Sequence, residues 1–504
     1  MARATAEPET DRQPAAPAGE WFGHPRGLST LFFTELWERF SYYGMRAILV
    51  LFMTHAVATG GMGLTDSIAT GIYGLYTAAV YLSALPGGWM ADRLLGQRRA
   101  VFIGGAIIAA GHFTMGVPSI ATFYTGLALI VIGTGLLKPN VSAMVGELYP
   151  EGGARRDAGF SIYYMGINTG AFFGPLVCGY LGENVDWHLG FSAAGVGMVL
   201  GLVQYWWGGR HLGAAGQLHA EARSPGARAR AGRGLALGLG GAAGLALVLA
   251  GLQSTGAIRV TLLGVVDATG YFIVALAAVY LGYVAFFCRL TPAERGRVGV
   301  IAVCFMASAV FWSGFEQAGS SMNLFAERLT DRGVLGWEMP ASWLQSVNAL
   351  FIILLAPVFS AVWLYLGSRS PSIPVKFAYG LVQLGLGFLV MAWASMYTGN
   401  GNLVNPSWLV VTYFLHTTGE LCLSPVGLSS ITKLSPPRFV GQMMGIWFMG
   451  SALGNLIAGR VAGFIETLPL PQLFGSVALF AGGFGLLLLL FAARPIRTMA
   501  GDVR

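Results

Sequence analysis

Apolar stretches recur along the whole chain, and most reach the roughly 20 residues that an α-helix needs to cross about 30 Å of hydrocarbon. The pattern predicts helices at 29–56, 67–91, 98–117, 120–148, 157–182, 189–209, 233–253, 268–288, 298–324, 342–367, 374–396, 406–434, 438–464 and 472–493. Fourteen such helices make an all-α polytopic membrane protein. Alternate loops then separate by charge. With the N-terminus taken as cytoplasmic, 23 of the 30 Lys and Arg fall on that side, including Arg98, Arg99, Arg155, Arg156, Arg223, Arg228, Arg230 and Arg233. Only Arg259, Arg328 and Arg332 fall on the other, and Arg39, Arg46, Lys138 and Arg460 lie within spans. Basic loops stay on the cytoplasmic side during insertion, so both termini are expected there, in a cell inner membrane.

A segment rich in Arg, Ala and Gly at 210–233 divides the pattern. Residues 1–28 read as a cytoplasmic tail without a cleavable signal, 29–209 as a six-helix bundle, and 210–297 as a linker plus two inserted helices. Residues 298–493 read as a second six-helix bundle and 494–504 as a C-terminal tail. This is a 6+6 plan around a central cavity, with a lipid-facing pair added.

Composition agrees: 55% of the 504 residues are hydrophobic, 11% are charged, and mean hydropathy is +0.63. The pI near 9.3 follows from topology and contact with anionic lipid and calls for no nucleic acid. The four cysteines, Cys178, Cys288, Cys304 and Cys422, are scattered through apolar segments, which suggests neither a disulfide framework nor a zinc site. No His-Glu-x-x-His, Asp-x-Asp or Gly-x-Ser-x-Gly element points to an enzyme, and no repeated filter residues point to a channel.

The informative residues are charges inside the spans. An ionisable side chain at the bilayer centre costs roughly 2.5–3.5 kcal/mol even on insertion scales, so each one asks for a partner, a water-filled cavity or a function. In the first helix Glu35, Glu38, Arg39, Tyr42 and Arg46 recur at spacings of three and four, which places them on one inward-facing stripe. Lys138, Glu316 and Glu420 sit among apolar or small residues in later spans, and Asn168 and Asn348 add uncharged donors and acceptors. Buried structural pairing is the competing explanation, and it weakens when opposite charges recur in both halves. Tyr42, Tyr43, Tyr81, Trp312 and Trp447 are ordinary core residues by type that gain interest from lying near these charges.

These residues carry a resemblance. The stretch from Glu35 to Gly44, ELWERFSYYG, is similar to the ExxER-F-x-YYG element of the bacterial proton-dependent oligopeptide transporter (POT/PTR) family, a branch of the major facilitator superfamily. Four more stretches resemble the family in order: GWMADRLLG at 88–96, GLLKPN at 135–140, FSIYYMGINTG at 160–170 and GELCLSP at 419–425, with FWSGFEQ at 311–317 a looser match. The resemblance implies proton-coupled symport of di- and tripeptides, with no cofactor, by a monomer. It implies that Arg46 and Lys138 meet the peptide carboxylate, that Glu420 with Asn168 and Asn348 meets the amino terminus, and that Tyr42, Tyr81, Trp312, Ser424 and Trp447 complete the site. Glu35, Glu38, Arg39, Arg46 and Glu316 would couple protons, Arg46 pairing with Glu316 between the halves. Asp92 and Arg93 would form a gating loop that locks one state by charge pairing.

The chain departs from the pattern of animal members, which carry a His in the second helix where Gly74 follows Tyr73 here, and this excludes a histidine switch at that position. His416, one turn before Glu420, reads as a packing residue. Phe315 precedes Glu316 where several bacterial relatives have a second acid. The same fold could carry another small solute, such as nitrate or a drug-like anion, but a retained Glu420 favours an amine on the substrate.

Overall fold

The computed structural model describes residues 20–218, 220–492 and 499. Most of the two expected tails, with Arg3, Arg12, Arg494, Arg497 and Arg504, lies outside the described residues. The first bundle comprises α1 (Gly27–Thr54), α2 (Asp66–Met90), α3 (Gln97–Met115), α4 (Ile120–Glu147), α5 (Gly153–Asn184) and α6 (Trp187–Gly208). Next come α7 (Pro225–Ser254) and α8 (Leu262–Phe287). The second bundle comprises α9 (Pro292–Phe315), the short α10 (Ser321–Leu329), α11 (Ser346–Leu366), α12 (Ile373–Ser395), α13 (Ser407–Leu434), α14 (Val440–Ala462) and α15 (Leu470–Leu487).

Among the described residues, ten helical segments are long and apolar enough to cross a membrane on length and composition alone. The long helices α1, α3, α5 and α13 are not among them; α1 carries the charged stripe, and its burial in protein makes those charges tolerable. Helix α1 packs between α5 and α6. Close approach of α1 and α5 requires glycine at 170, where a Cβ would collide with the Leu36 carbonyl oxygen.

The bundles meet along two helix pairs, α2 with α14 and α5 with α11. With α9 and α10 counted as one interrupted helix, these are the second and fifth helices of each bundle, exchanged. Such a pairing is what two similar halves related by a pseudo-two-fold produce. The inserted pair stays outside: α8 lies against α2, α9 and α14, and the apolar part of α7 is wholly exposed.

Three expectations change. Residues 20–28 are not all tail: Glu20–Trp21 and His24–Pro25 form a small hairpin held by Arg155, which donates to Glu20 and the Gly23 carbonyl. The linker is shorter than 210–233, because α7 begins at Pro225 with Ser224 as its cap. Hydropathy missed those first two turns, since Arg and Ala are good helix formers but the arginines are too polar for a membrane span. The segment 213–218 docks as well: Arg98 donates to the carbonyls of Gly213 and Ala215, and Gly216 N–H donates to Glu147. Finally, the ninth span is not continuous. It breaks after Phe315 into a 3₁₀ turn, Glu316–Gly319, before α10 resumes.

Candidate functional site

The break places Glu316 at the centre of the molecule. Side chains satisfy part of the freed backbone, with Gln317 donating to the Ser313 carbonyl and accepting from Ser321. Gly319 is required there because a Cβ would strike the Tyr73 hydroxyl on α2. From the other bundle Arg46 on α1 donates to Glu316 at 2.8 Å, and both side chains are buried. The rings of Tyr43 and Tyr73 lie 5.0 and 5.9 Å from the Arg46 guanidinium. A cation between two electron-rich faces, paired to a carboxylate, is well stabilised for a dry environment.

This ion pair forms part of the wall of a central cavity with about 850 Å³ of empty space. The first bundle contributes Tyr43 and Arg46 from α1, Tyr81 from α2, and Tyr164, Ile167 and Asn168 from α5. The second contributes Trp312, Phe315 and Glu316, then Gln345, Asn348 and Ile352 around the start of α11, and Tyr413, His416 and Glu420 from α13. Glu420 accepts from Asn348 at 3.4 Å, and the same amide donates to Thr417 at 2.9 Å. The indole N–H of Trp312 has no hydrogen-bond partner among the described residues. The cavity therefore carries a cation on one bundle, acids and amides on the other, and aromatic walls between.

Of the site residues expected from sequence, Arg46, Tyr81, Asn168, Trp312, Glu316, Asn348 and Glu420 line this cavity. Lys138 does not line it; its ammonium stands 4.2 Å from the centre of the Tyr81 ring. Three other expected binding residues lie outside this lining. Tyr42 faces Tyr76 at 6.5 Å and leaves the cavity to its neighbour Tyr43. Trp447 packs on Phe377 and against Gly427 inside the second bundle. Ser424 sits one turn beyond Glu420 with its hydroxyl buried and outside the lining.

The ExxER residues form their own buried cluster. Arg39 meets Glu35 at 2.7 Å and Glu38 at 3.1 Å, and the Tyr163 hydroxyl donates to Glu35 at 2.7 Å. Asp92 and Arg93 are exposed in a π turn after α2, with no ion pair among the described residues. Residues that sequence reasoning did not assign to the cavity include Tyr164, Tyr413, Gln345, Phe315, Ile167 and Ile352. Apart from the amide of Gln345 they are aromatic or aliphatic types common in any core, so spacing alone offers no signal for them. His416, read as a packing residue, does pack 4.9 Å from the Phe388 ring, and it reaches the cavity wall too.

Polar contacts joining the bundles gather at Arg46–Glu316 and on the side away from the chain termini. On that far side Asn323 and Gln345 both donate to the Ala47 carbonyl, Trp343 donates to Leu176 and Ser346 to Phe172. Arg328 forms a bidentate pair with Asp66 at 2.6 and 2.9 Å. The far side of the cavity is therefore closed.

The chain matches the family model PTR2, POT family, over residues 98–219 and 265–474. This protein belongs to the POT family. It is 42% identical over 504 residues to the peptide transporter YePEPT of Yersinia enterocolitica, covering 97% of this chain and 98% of that one. The di-/tripeptide transporter of Lactococcus lactis subsp. cremoris is 37% identical over 502 residues, covering 96% and 98%. Among solved structures, a peptide transporter POT in complex with sulfate superposes with a TM-score of 0.89 at 44% identity, covering 96% of this chain and 98% of the other. A POT family transporter in complex with 5-aminolevulinic acid superposes at 0.87 with 34% identity, covering 95% and 98%. The chain is thus a multi-pass transporter with the fourteen-helix fold of its relatives rather than an enzyme.

Proposed function

We propose that this protein is a proton-coupled symporter of di- and tripeptides that works by alternating access. The Arg46–Glu316 ion pair carries most of the weight, because it is buried, spans the two bundles and borders the cavity. A zwitterionic peptide offers a carboxylate to Arg46, with Lys138 adding charge from behind Tyr81. Its ammonium group meets Glu420, Asn168 and Asn348 on the facing walls. Side chains then need only roomy, partly apolar space, and the aromatic walls supply it. Relatives at 37–42% identity named as peptide transporters support this substrate class.

Protonation of Glu316 removes the charge that holds Arg46, freeing the cation for the peptide carboxylate and loosening the join between bundles. One proton falling through about 100 mV and one pH unit supplies roughly 3.7 kcal/mol, enough to accumulate a neutral zwitterion several-hundredfold. The basic loops favour a cytoplasmic near side in an inner membrane, with the far-closed structure as the inward-facing half of the cycle. We take the working unit to be a monomer, since both walls of the cavity come from one chain.

Glu420→Gln tests the amine assignment. Loss of a charge-assisted contact weakens binding of an ordinary dipeptide about ten- to a hundredfold and leaves an analogue without the free amine nearly unaffected. Equal losses for the two ligands, measured by calorimetry, would remove Glu420 from the amine site.

A further inference from the structure

On the far side the bundles are joined by two contacts that repeat each other across the molecule. Glu183, the next-to-last residue of α5, accepts the backbone N–H groups of Ala341 at 2.7 Å and Ser342 at 3.0 Å, together with the Ser342 hydroxyl. Those N–H groups open the helical segment Ala341–Leu366 of the other bundle. Glu466 ends the turn Gly463–Glu466 that follows α14, and it accepts the backbone N–H of Asp66, the first residue of α2, at 2.6 Å. In each case a glutamate ending the fifth helix of one bundle caps the start of the second helix of the other.

The surroundings repeat as well. One turn before each glutamate stands a glycine that lets the capped helix come close. A Cβ at Gly179 would collide with the Ser342 hydroxyl, and one at Gly463 would lie 3.1 Å from the Ser67 Cα. Helix α2 already has a cap from its own bundle, Thr65 accepting from Ile68 N–H. Glu466 therefore adds an inter-bundle bond to a helix start that its own bundle has begun to satisfy.

We propose that Glu183 and Glu466 are a matched pair of latches that hold the far side closed and must both release before it opens. The first N–H groups of a helix have no carbonyl partner within it, and a glutamate oxygen from the other bundle supplies one. When the bundles part, water takes over those N–H groups, so each latch is firm but reversible. The pair acts by positioning the bundles and touches no substrate. Its role as a gate rests on the alternating-access reading above; its hold on the closed state can be measured without any substrate.

The test is the distance between spin labels at Val57→Cys and Leu335→Cys, exposed positions on far-side loops of opposite bundles, in a Cys288→Ser background in nanodiscs. Neither peptide nor a proton gradient is needed, so the outcome does not depend on what the protein carries. The parent should show mainly the short, closed distance. Glu183→Ala or Glu466→Ala alone should raise the ratio of long to short distances about tenfold, and the double variant further. Glutamine separates latch from bulk. Glu466→Gln keeps an oxygen for its single N–H and should stay near the parent, whereas Glu183→Gln cannot serve donors on both oxygens and should open. An unchanged distribution in both alanine variants, with melting temperature retained, would overturn the proposal. So would equal opening by the two glutamine variants.

Discussion

At the residue scale, charges and amides inside apolar spans marked part of the site, although Lys138 stands behind Tyr81 and the amide of Gln345 went unassigned. Arg46, Glu316, Glu420, Asn168 and Asn348 were found that way, and all border the cavity. Aromatic residues were not legible, because a tyrosine that lines a cavity and one that fills a core have the same neighbours in sequence. Tyr42 and Tyr43 show this: about 100° of helix rotation turns one to Tyr76 and the other to the cavity. The pairing of Arg46 with Glu316 gives the sharpest prediction at this scale. Glu316→Gln mimics the protonated acid permanently. Proteoliposomes containing it should still exchange labelled for unlabelled dipeptide, since exchange needs no net proton movement, and should lose pH-driven accumulation down to about onefold. Gradient-driven accumulation by this variant would show that Glu316 is not an essential coupling site.

At the scale of elements, hydropathy placed all fourteen long helices within a few residues at most ends and failed where the reason was not hydropathic. It missed the first two turns of α7, which a Ser-Pro cap and helix-forming Arg and Ala residues start outside the apolar core. It also ran straight through the break at Glu316–Gly319, since Ala318 and Gly319 look apolar enough to continue a helix. The broken segment meets the other bundle at Tyr73 and Arg46, contacts that no local pattern contains. Gly319→Ala should therefore act across the interface: its Cβ meets Tyr73, and such overpacking costs about 1–3 kcal/mol. A lower melting temperature and impaired peptide uptake are expected, with partial recovery in Tyr73→Phe/Gly319→Ala, where the hydroxyl is gone. Unaltered melting and uptake in Gly319→Ala alone would mean that the bundles do not need this close approach.

For the whole molecule, two similar bundles meet along α2–α14 and α5–α11, close on the far side and enclose a cavity whose charges are divided between them. In the proposed cycle that division lets one event serve two purposes: neutralising Glu316 would free Arg46 for a carboxylate and weaken the join between the halves. Coupling in this account is therefore reciprocal: peptide binding favours the protonated acid as much as protonation favours peptide binding. The most direct test is uptake of a labelled dipeptide by the purified protein in liposomes, with and without an imposed gradient, acidic outside. The account predicts accumulation above equilibrium that rises with the gradient, collapses with a protonophore and is competed by tripeptides but not by nitrate. Uptake that never exceeds equilibrium, or that is indifferent to the gradient, would contradict it.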